Sequence, residues 1–219
     1  MKRFVLIVCY GFLIRHFLRI IVGVKYGDAS FLKKEKQFIL IANHNSHLDA
    51  MSIMASMPRS IVHKVRPVAA QDHFGKTKRQ AWFSNYFINT LLIHRKIDKS
   101  SPENSPIYKM DQAIKEGYSL IIFPEGTRGE PGKANQFKAG VAMVLLQNPH
   151  VSYVPIYLKG MGKAMPKGDN LIVPHESALV YGQPTKIKHT TVEEILACMK
   201  EEMEALRLTL ENELENETL

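Results

Sequence analysis

The sequence is poor in cysteine. Its 219 residues include only Cys9 and Cys198, which lie near opposite ends of the chain, and no Cys-x-x-Cys pair or cysteine–histidine spacing typical of zinc ligation is present. We therefore expect neither a disulfide framework nor a zinc site. A reducing compartment is the simplest expectation for the protein.

The sequence patterns that mark several large functional classes are also missing. The chain has no Gly-x-Ser-x-Gly segment, which argues against a serine hydrolase with a nucleophile elbow. It has neither a phosphate-binding loop nor the glycine pattern of dinucleotide-binding folds. No helix-turn-helix, RNA-recognition or zinc-finger pattern favours a nucleic-acid partner. No protein nucleophile is evident.

Long uninterrupted apolar stretches are absent as well. The apolar run at residues 4–14 is too short to cross a bilayer as a helix, and its extension to Val24 contains Arg15, His16 and Arg19 on one helical face. We expect residues 1–28 to form an interfacial helix with its basic side toward lipid phosphates. There are two alternatives. The segment could be a single membrane anchor with a cytosolic N-terminus, or a helix that covers a groove of its own domain. No small-x-small cleavage site supports a signal peptide.

Charge is unevenly distributed along the chain. The net charge is +8, but the segment from Glu193 onward has nine acidic and two basic residues, so residues 1–192 carry a net charge of +15. A basic body attracts anionic partners such as a membrane surface or phosphorylated substrates.

Short apolar runs alternate with helical patterns along the middle of the chain. Strands are predicted at residues 38–42, 67–70, 120–123, 151–158, 171–173 and 178–181, and helices at residues 51–57, 76–92, 107–116 and 141–147. This alternation predicts an α/β fold: a single domain over residues 29–190, with a mostly parallel central sheet flanked by helices.

The final segment, residues 191–219, is predicted to be an amphipathic acidic helix. Thr191 and Glu194 form a capping box at its start. Apolar residues then recur every three or four positions: Val192, Ile195, Met199, Met203, Leu206 and Leu210.

His44 and Asp49 follow directly after the predicted strand at residues 38–42. Ligands of α/β proteins bind at the carboxyl ends of such strands. A neutral imidazole can take a proton from a hydroxyl, and a nearby carboxylate can fix its tautomer and stabilise the imidazolium. The alternative is that Ser46 and Asp49 only cap the helix. His47 lies one turn from His44, but no third ligand stands out, so we expect no metal.

A second polar segment follows the predicted strand at residues 120–123. It reads Pro124-Glu125-Gly126-Thr127-Arg128, in which the glycine allows close approach of a ligand and the last two side chains suit a phosphate. A solvated turn with an exposed ion pair is the alternative. Arg95 ends another apolar run, and the proline in Val154-Pro155-Ile156 indicates a sheet edge or an irregular position in the strand.

Taken together, these segments resemble the motifs of the glycerolipid acyltransferases, a family that includes the lysophosphatidic acid acyltransferases. Residues 44–49 resemble their His-x4-Asp motif, residues 123–128 match Phe-Pro-Glu-Gly-Thr-Arg without a change, and residues 154–156 resemble the final Val-Pro-Ile motif. The resemblance covers roughly residues 35–185. The second motif departs from the Gly-x-x-Phe-Ile-x-Arg pattern: Asn89 and Leu92 replace Gly and Phe, whereas Ile93 and Arg95 fit.

The resemblance implies a 1-acylglycerol-3-phosphate O-acyltransferase at the cytosolic face of a membrane, such as the inner or plasma membrane. Its substrates would be lysophosphatidic acid and an acyl thioester of coenzyme A or acyl-carrier protein, with no metal, no other cofactor and no acyl-enzyme. It assigns the general base to His44, the supporting carboxylate to Asp49, and the acceptor and phosphate site to Arg95, Glu125, Gly126, Thr127 and Arg128.

Two other hypotheses stay open at this point. The departures at Asn89 and Leu92 are compatible with the same chemistry on a different lysolipid. A non-enzymatic membrane-surface protein is the less favoured interpretation, because a binding protein has no need of a base.

Overall fold

A computed structural model describes residues 1–94, 102–129, 135–166 and 171–216. It contains one seven-stranded sheet in the order β1-β7-β6-β2-β5-β3-β4. β7 runs antiparallel to β6, β1 is parallel to β7, and all other neighbours are parallel. The strands are β1 Val24–Tyr26, β2 Phe38–Ala42, β3 Val65–Ala70, β4 Leu91–Ile93, β5 Ser119–Ile122, β6 Ser152–Lys159 and β7 Ser177–Tyr181. The predicted α/β class with a mostly parallel sheet is confirmed.

Helices cover both faces of this sheet. They are α1 Lys2–Val22, α2 Leu48–Ser56, α3 Gln71–Phe74, α4 Lys78–Phe83, α5 Pro106–Lys115, α6 Gly140–Gln147, α7 Met161–Ala164 and α8 Val192–Asn216. One apolar core joins α1, α2 and α7 to the sheet, and the second joins α5, α6 and α8 to its other face.

Strand β2 lies at the centre of both cores. Its five residues are all buried, with Phe38, Leu40 and Ala42 in the first core and Ile39 and Ile41 in the second. Side chains of a strand alternate between faces, so a strand that is covered on both sides must be apolar throughout. The continuous apolar run in the sequence therefore predicted both the strand and its central place.

Helix α1 is long and apolar enough to cross a membrane by length and composition alone, although a core helix or a signal sequence would also meet these criteria. It packs through Leu6, Tyr10 and Leu18 into the first core. Arg15 donates a hydrogen bond from Nη1 to the carbonyl of Ala55, 2.8 Å away. The Arg15 side chain therefore turns toward α2 and is half-buried, whereas His16 and Arg19 are exposed.

The helix predicted at residues 76–92 is shorter in the structure. Helix α4 continues as a wider turn through Ser84–Ile88 and ends at Asn89, whose backbone is left-handed with φ of 62°. The chain then enters β4 rather than continuing the helix. The rings of Trp82 and Tyr86, four residues apart in sequence, stack with their centroids 5.3 Å apart.

Two strand predictions also need correction. Residues 171–173 form no strand, although the Val173 amide donates to the carbonyl of Ala164 at 2.9 Å. Pro155 is not at an edge, because β6 lies between β7 and β2. Pro155 pairs in register with Ile41 of β2, so the predicted edge or irregular position is not observed. It lies next to the end of the β6–β7 ladder at Ile156, and the missing N–H interrupts no pair of that ladder.

Candidate active site

The candidate site begins at the carboxyl end of β2. The chain leaves the sheet at Ala42 and starts α2 at Leu48, so His44 and Asp49 face each other across a short turn. His44 Nδ1 lies 2.9 Å from Asp49 Oδ2. The carboxyl side chain is 1% exposed and the imidazole 21%. A carboxylate can only accept, so in the neutral imidazole Nδ1 carries the proton and Nε2 presents its lone pair.

The Asp49 carboxylate is held by the turn that precedes its helix. The backbone N–H groups of Asn45 and Ser46 donate to Oδ2 at 2.7 and 2.8 Å. Ser46 Oγ accepts from the Leu48 amide at 3.2 Å. The capping interpretation and the catalytic interpretation are therefore compatible, because Ser46 Oγ satisfies the first amide of the helix while Asp49 Oδ2 accepts from the turn before it and contacts the histidine.

The His44 ring is also supported from one side. The ring of Phe123, directly after β5, stacks on it with a centroid distance of 4.1 Å and an interplanar angle of 22°. Stacking and the carboxylate together fix the plane of the imidazole. A fixed ring orientation directs Nε2 to one position in space.

Glu125 contacts the backbone of His44 rather than its ring. Its Oε1 accepts from the His44 amide at 2.9 Å, and its Oε2 accepts from Asn135 Nδ2 at 2.7 Å. The His44 carbonyl accepts from the Gly129 amide at 2.8 Å. The turn after β5 is thus hydrogen-bonded to both the amide and the carbonyl of His44, which lies in the turn after β2.

The segment after Glu125 forms a tight turn beneath a lysine. Gly126 has φ of 70°, a left-handed conformation that favours glycine. The Lys138 side chain lies across this residue, and a Cβ built on Gly126 would be 2.7 Å from Nζ. The Lys138 amide also donates to the carbonyl of Pro124 at 2.8 Å. The glycine thus makes room for a cation over the turn, while Thr127 is exposed and Arg128 half-buried.

A third strand joins this edge through Asn43. Its Nδ2 donates to the Leu158 carbonyl and its Oδ1 accepts from the Leu158 amide, both at 2.8 Å. Ser46 Oγ donates to the Met165 carbonyl at 2.9 Å. The carboxyl ends of β2, β5 and β6 therefore meet around His44, as expected for a ligand site in an α/β sheet.

The arrangement suits proton transfer from a hydroxyl next to a cationic, donor-rich turn. In the part of the chain that the structure describes, no three histidine, cysteine, aspartate or glutamate side chains are grouped to hold a metal ion.

Comparison with known proteins agrees with this geometry. The sequence model of a family described as acyltransferase matches residues 23–159, which is more than half of the chain and includes every strand from β1 to β6. The chain belongs to the acyltransferase family. The 1-acyl-sn-glycerol-3-phosphate acyltransferase of Limnanthes douglasii is 30% identical over 192 residues, which are 85% of this chain and 63% of that protein. The chain thus spans less than two thirds of that relative.

Further similar proteins carry related names. A 1-acyl-sn-glycerol-3-phosphate acyltransferase from Cocos nucifera is 31% identical over 152 residues, 68% of this chain and 46% of its own. The crystal structure of PlsC from Thermotoga maritima, titled a 1-acyl-sn-glycerophosphate (LPA) acyltransferase, has a TM-score of 0.75 at 22% identity. That match covers 96% of this chain and 81% of the PlsC chain, and it shows that the two share a fold.

Asn89 stands where the motif of the acyltransferase family has glycine, and its backbone conformation explains why asparagine fits there. Asn89 is left-handed, and asparagine tolerates this conformation better than other residues with a Cβ. Its buried Nδ2 also donates to the carbonyls of His63 and Val65 at 3.2 and 2.8 Å. Asparagine is thus compatible with the left-handed backbone at this position.

The predicted site residues are brought together with one exception. His44, Asp49 and the segment from Glu125 to Arg128 lie at one sheet edge, whereas Arg95 lies outside the described residues. Sequence reasoning missed Asn135 and Lys138 as members of the site. The signal for them was weak, because both belong to a polar loop and only the path of that loop brings them back to the Pro124–Gly126 turn.

Proposed function

We propose that the protein transfers a fatty acyl chain from an acyl thioester to the free hydroxyl of 1-acyl-sn-glycerol-3-phosphate, giving phosphatidic acid. The observation that carries this proposal is the buried Asp49 carboxylate on His44 Nδ1, which leaves Nε2 as the base. The names of the relatives support the same substrate class, and the fold shared with PlsC is compatible with it.

The proposed reaction uses the acceptor itself as the nucleophile. His44 Nε2 removes the hydroxyl proton as the oxygen attacks the thioester carbonyl, and Asp49 stabilises the imidazolium that forms. The tetrahedral intermediate then collapses, the carbon–sulfur bond breaks, and the imidazolium returns the proton to the departing thiolate. The route needs no acyl-enzyme and no cofactor beyond the thioester, which coenzyme A or acyl-carrier protein would supply.

The acceptor phosphate is proposed to bind at the turn that follows Glu125. Thr127 offers a hydroxyl donor, Arg128 offers a guanidinium, and Lys138 adds a second cation over the turn, while Gly126 without a side chain leaves room for a ligand. Arg95 is proposed to join them, as the resemblance implies. Glu125 would act by positioning the backbone of His44.

The enzyme is further proposed to work at a membrane surface, on its cytoplasmic face. Helix α1 exposes several large apolar side chains, and its basic residue Arg19 is also exposed. A lysophospholipid acceptor resides in the bilayer, so a helix that lies in the interface would bring the site to its substrate.

Thiol release from palmitoyl-CoA or palmitoyl acyl-carrier protein, with lysophosphatidic acid present, tests the proposal. We expect His44→Ala to lower kcat by roughly 10²–10⁴-fold, the range for loss of a general base. Asp49→Asn should have an effect of similar size, because an amide can hold the wrong tautomer of the imidazole. His150→Ala is the matched control, since His150 is exposed in the turn before β6.

Equal thiol release by wild type and His44→Ala would remove the base from the proposal. Vesicle binding without thiol release on any acyl thioester would favour the non-enzymatic alternative. A different lysolipid acceptor is the second candidate function, and the observation behind it is Leu92 at the position of the family's phenylalanine. A panel of lysolipids decides it, because a strong preference for lysophosphatidic acid would eliminate this candidate.

A further inference from the structure

A second polar cavity lies away from His44. It has a volume of about 510 Å³ and is formed between α1, the end of α2 and the segment that follows β1. Its lining includes Arg15 and Gly11 of α1, Lys33 and Asp28 after β1, and Ser56 and Arg59 at the end of α2. None of the residues assigned to the acyl-transfer site contributes to it.

Arg59 reaches this cavity by crossing α1 at a glycine. A Cβ built on Gly11 would lie 3.0 Å from Arg59 Cγ and 3.1 Å from Nε, so the side chain runs against the bare backbone. Nη2 donates to the Gly11 carbonyl at 3.1 Å, and the guanidinium carbon lies 3.8 Å from the centre of the Phe12 ring. Helix α1 is widened over Cys9–Ile14, the turn that Arg59 crosses. Such local widening of a helix occurs frequently at functional sites.

Arg15 supplies a second guanidinium to the cavity lining. Its Nη1 donates to the Ala55 carbonyl, and its guanidinium carbon lies 4.9 Å from the centre of the Tyr26 ring. A guanidinium has five N–H donors, and the contacts to carbonyl oxygens use one from each arginine. Both arginines thus keep donors for an anion.

The charge of the lining is positive. Lys33 adds a third cation, and Asp28 is the one acidic residue among the described lining residues. Asp28 already accepts hydrogen bonds from the amide and hydroxyl of Ser30, at 2.9 and 2.7 Å. Within the described parts of the chain, no carboxylate lies within 4.0 Å of Arg15 or Arg59.

Helix α1 also exposes apolar side chains. Phe12, Leu13 and Phe17 of α1 are 46%, 64% and 41% exposed. An anion that fits this combination has a charged head and hydrocarbon chains, as a phospholipid does. We propose that Arg59 and Arg15, with Lys33, bind the phosphate of an anionic membrane phospholipid whose chains lie along α1. This inference rests on the membrane association proposed above and adds a lipid site separate from the acyl-transfer site.

Vesicle flotation with the full chain tests this site without any need for catalysis. The probes are vesicles of phosphatidylcholine alone, of phosphatidylcholine with phosphatidic acid, and of phosphatidylcholine with enough oleate to give the same surface charge. We expect Arg59→Gln to weaken binding to the phosphatidic acid vesicles by roughly tenfold, the order for one lost charge-assisted hydrogen bond. Binding to phosphatidylcholine alone should change little.

Lys34→Gln is the matched control, because Lys34 is exposed, follows Lys33 directly and is not part of the lining. Gly11→Ala is a second variant that keeps every charge and displaces the Arg59 side chain, so it should weaken the same binding. Thermal unfolding confirms that each variant is folded.

Three results would overturn the lipid site. The first is an equal loss of vesicle binding for Lys34→Gln and Arg59→Gln. The second is that Arg59→Gln loses as much binding to the oleate vesicles as to the phosphatidic acid vesicles. The third is that soluble glycerol 3-phosphate fully displaces the protein from phosphatidic acid vesicles, which would indicate a free phosphate as ligand. Failure of wild type to float with phosphatidylcholine alone would overturn the apolar anchoring. Absence of thiol release would overturn the acyltransferase proposal and leave this site untouched.

Discussion

One oxygen atom of Asp49 organises the turn between β2 and α2. Oδ2 accepts from two backbone amides and lies against His44 Nδ1, while Oδ1 is enclosed with no hydrogen-bond partner among the described residues. The sequence spacing predicted this proximity, because a helix cap at Ser46 places the side chain three residues later back at the helix start. The stacked Phe123 was not predicted in that role, because its contact with His44 depends on the pairing of β2 with β5.

The substitution Asn89→Gly should be tolerated better than Asn89→Ala. Both remove the two hydrogen bonds of the buried side chain, but only alanine must also adopt φ of 62° with a Cβ. We expect Asn89→Ala to be less stable than Asn89→Gly by about 1 kcal/mol. Urea unfolding of the three proteins gives this difference, and equal stability of the two variants would contradict the conformational explanation of the asparagine.

At the scale of elements, the buried strands were the most predictable part of the fold. Both β2 and β5 consist largely of a continuous apolar run, a pattern that favours a buried strand over other structures. The boundary between α4 and β4 was not predictable in the same way, because residues 86–88 and 91–93 are two short apolar runs that fit either a helix or a strand. The break there depends on one left-handed residue that is held by Nδ2 contacts to a distant part of the chain.

Helix α8 meets the sheet through a partly buried carboxyl. Tyr153 of β6 donates from Oη to Glu202 Oε1 at 3.0 Å. Burial raises the pKa of the Glu202 carboxyl, and the hydrogen bonds from Tyr153 and Cys198 oppose this rise without cancelling it. A carboxyl whose pKa is raised on folding stabilises the fold below its unfolded-state pKa of about 4.3, and this contribution is lost as pH rises through the folded-state pKa.

We therefore expect Glu202→Gln to be more stable than wild type at neutral pH. The gain in the free energy of unfolding should be at most about 1 kcal/mol, because the group is only partly buried, and it should shrink as the pH falls toward 4. Denaturant unfolding at several pH values measures it, with Glu201→Gln, the exposed neighbour, as control. If the free energies of unfolding of Glu202→Gln and wild type differ by the same amount at every pH, this account is contradicted.

On the scale of the whole molecule, apolar side chains are exposed along one side of α1. Leu13, Phe17 and Ile20 follow the spacing of one helical face and are 64%, 41% and 71% exposed. Trp82 and Phe83 of α4 are 61% and 52% exposed, and α4 continues into the turn that contacts α1, where Lys2 donates to Asn85. The sequence predicted an amphipathic helix here, but it did not predict that α4 would expose further aromatic side chains near the start of α1.

The triple substitution Leu13→Ser, Phe17→Ser, Ile20→Ser should reduce binding to neutral phosphatidylcholine vesicles by about 10²-fold or more. Each side chain contributes on the order of 1 kcal/mol when it leaves water, even if it is buried only in part. Vesicle flotation measures the effect. Leu208→Ser removes an exposed leucine of α8 on the opposite face of the sheet, and a loss of similar size in that control would argue against a membrane role of α1.

The partners of His44 differ greatly in their distance along the chain. Asp49 is five residues away, whereas Glu125 is 81 residues away, and the Leu158 contact of neighbouring Asn43 spans 115 residues. During synthesis or refolding, the histidine and its carboxylate can approach each other early, but the backbone of His44 becomes fixed only after β5 and β6 have joined β2. Catalytic competence would thus arrive late in folding, once the carboxyl ends of three strands have been assembled.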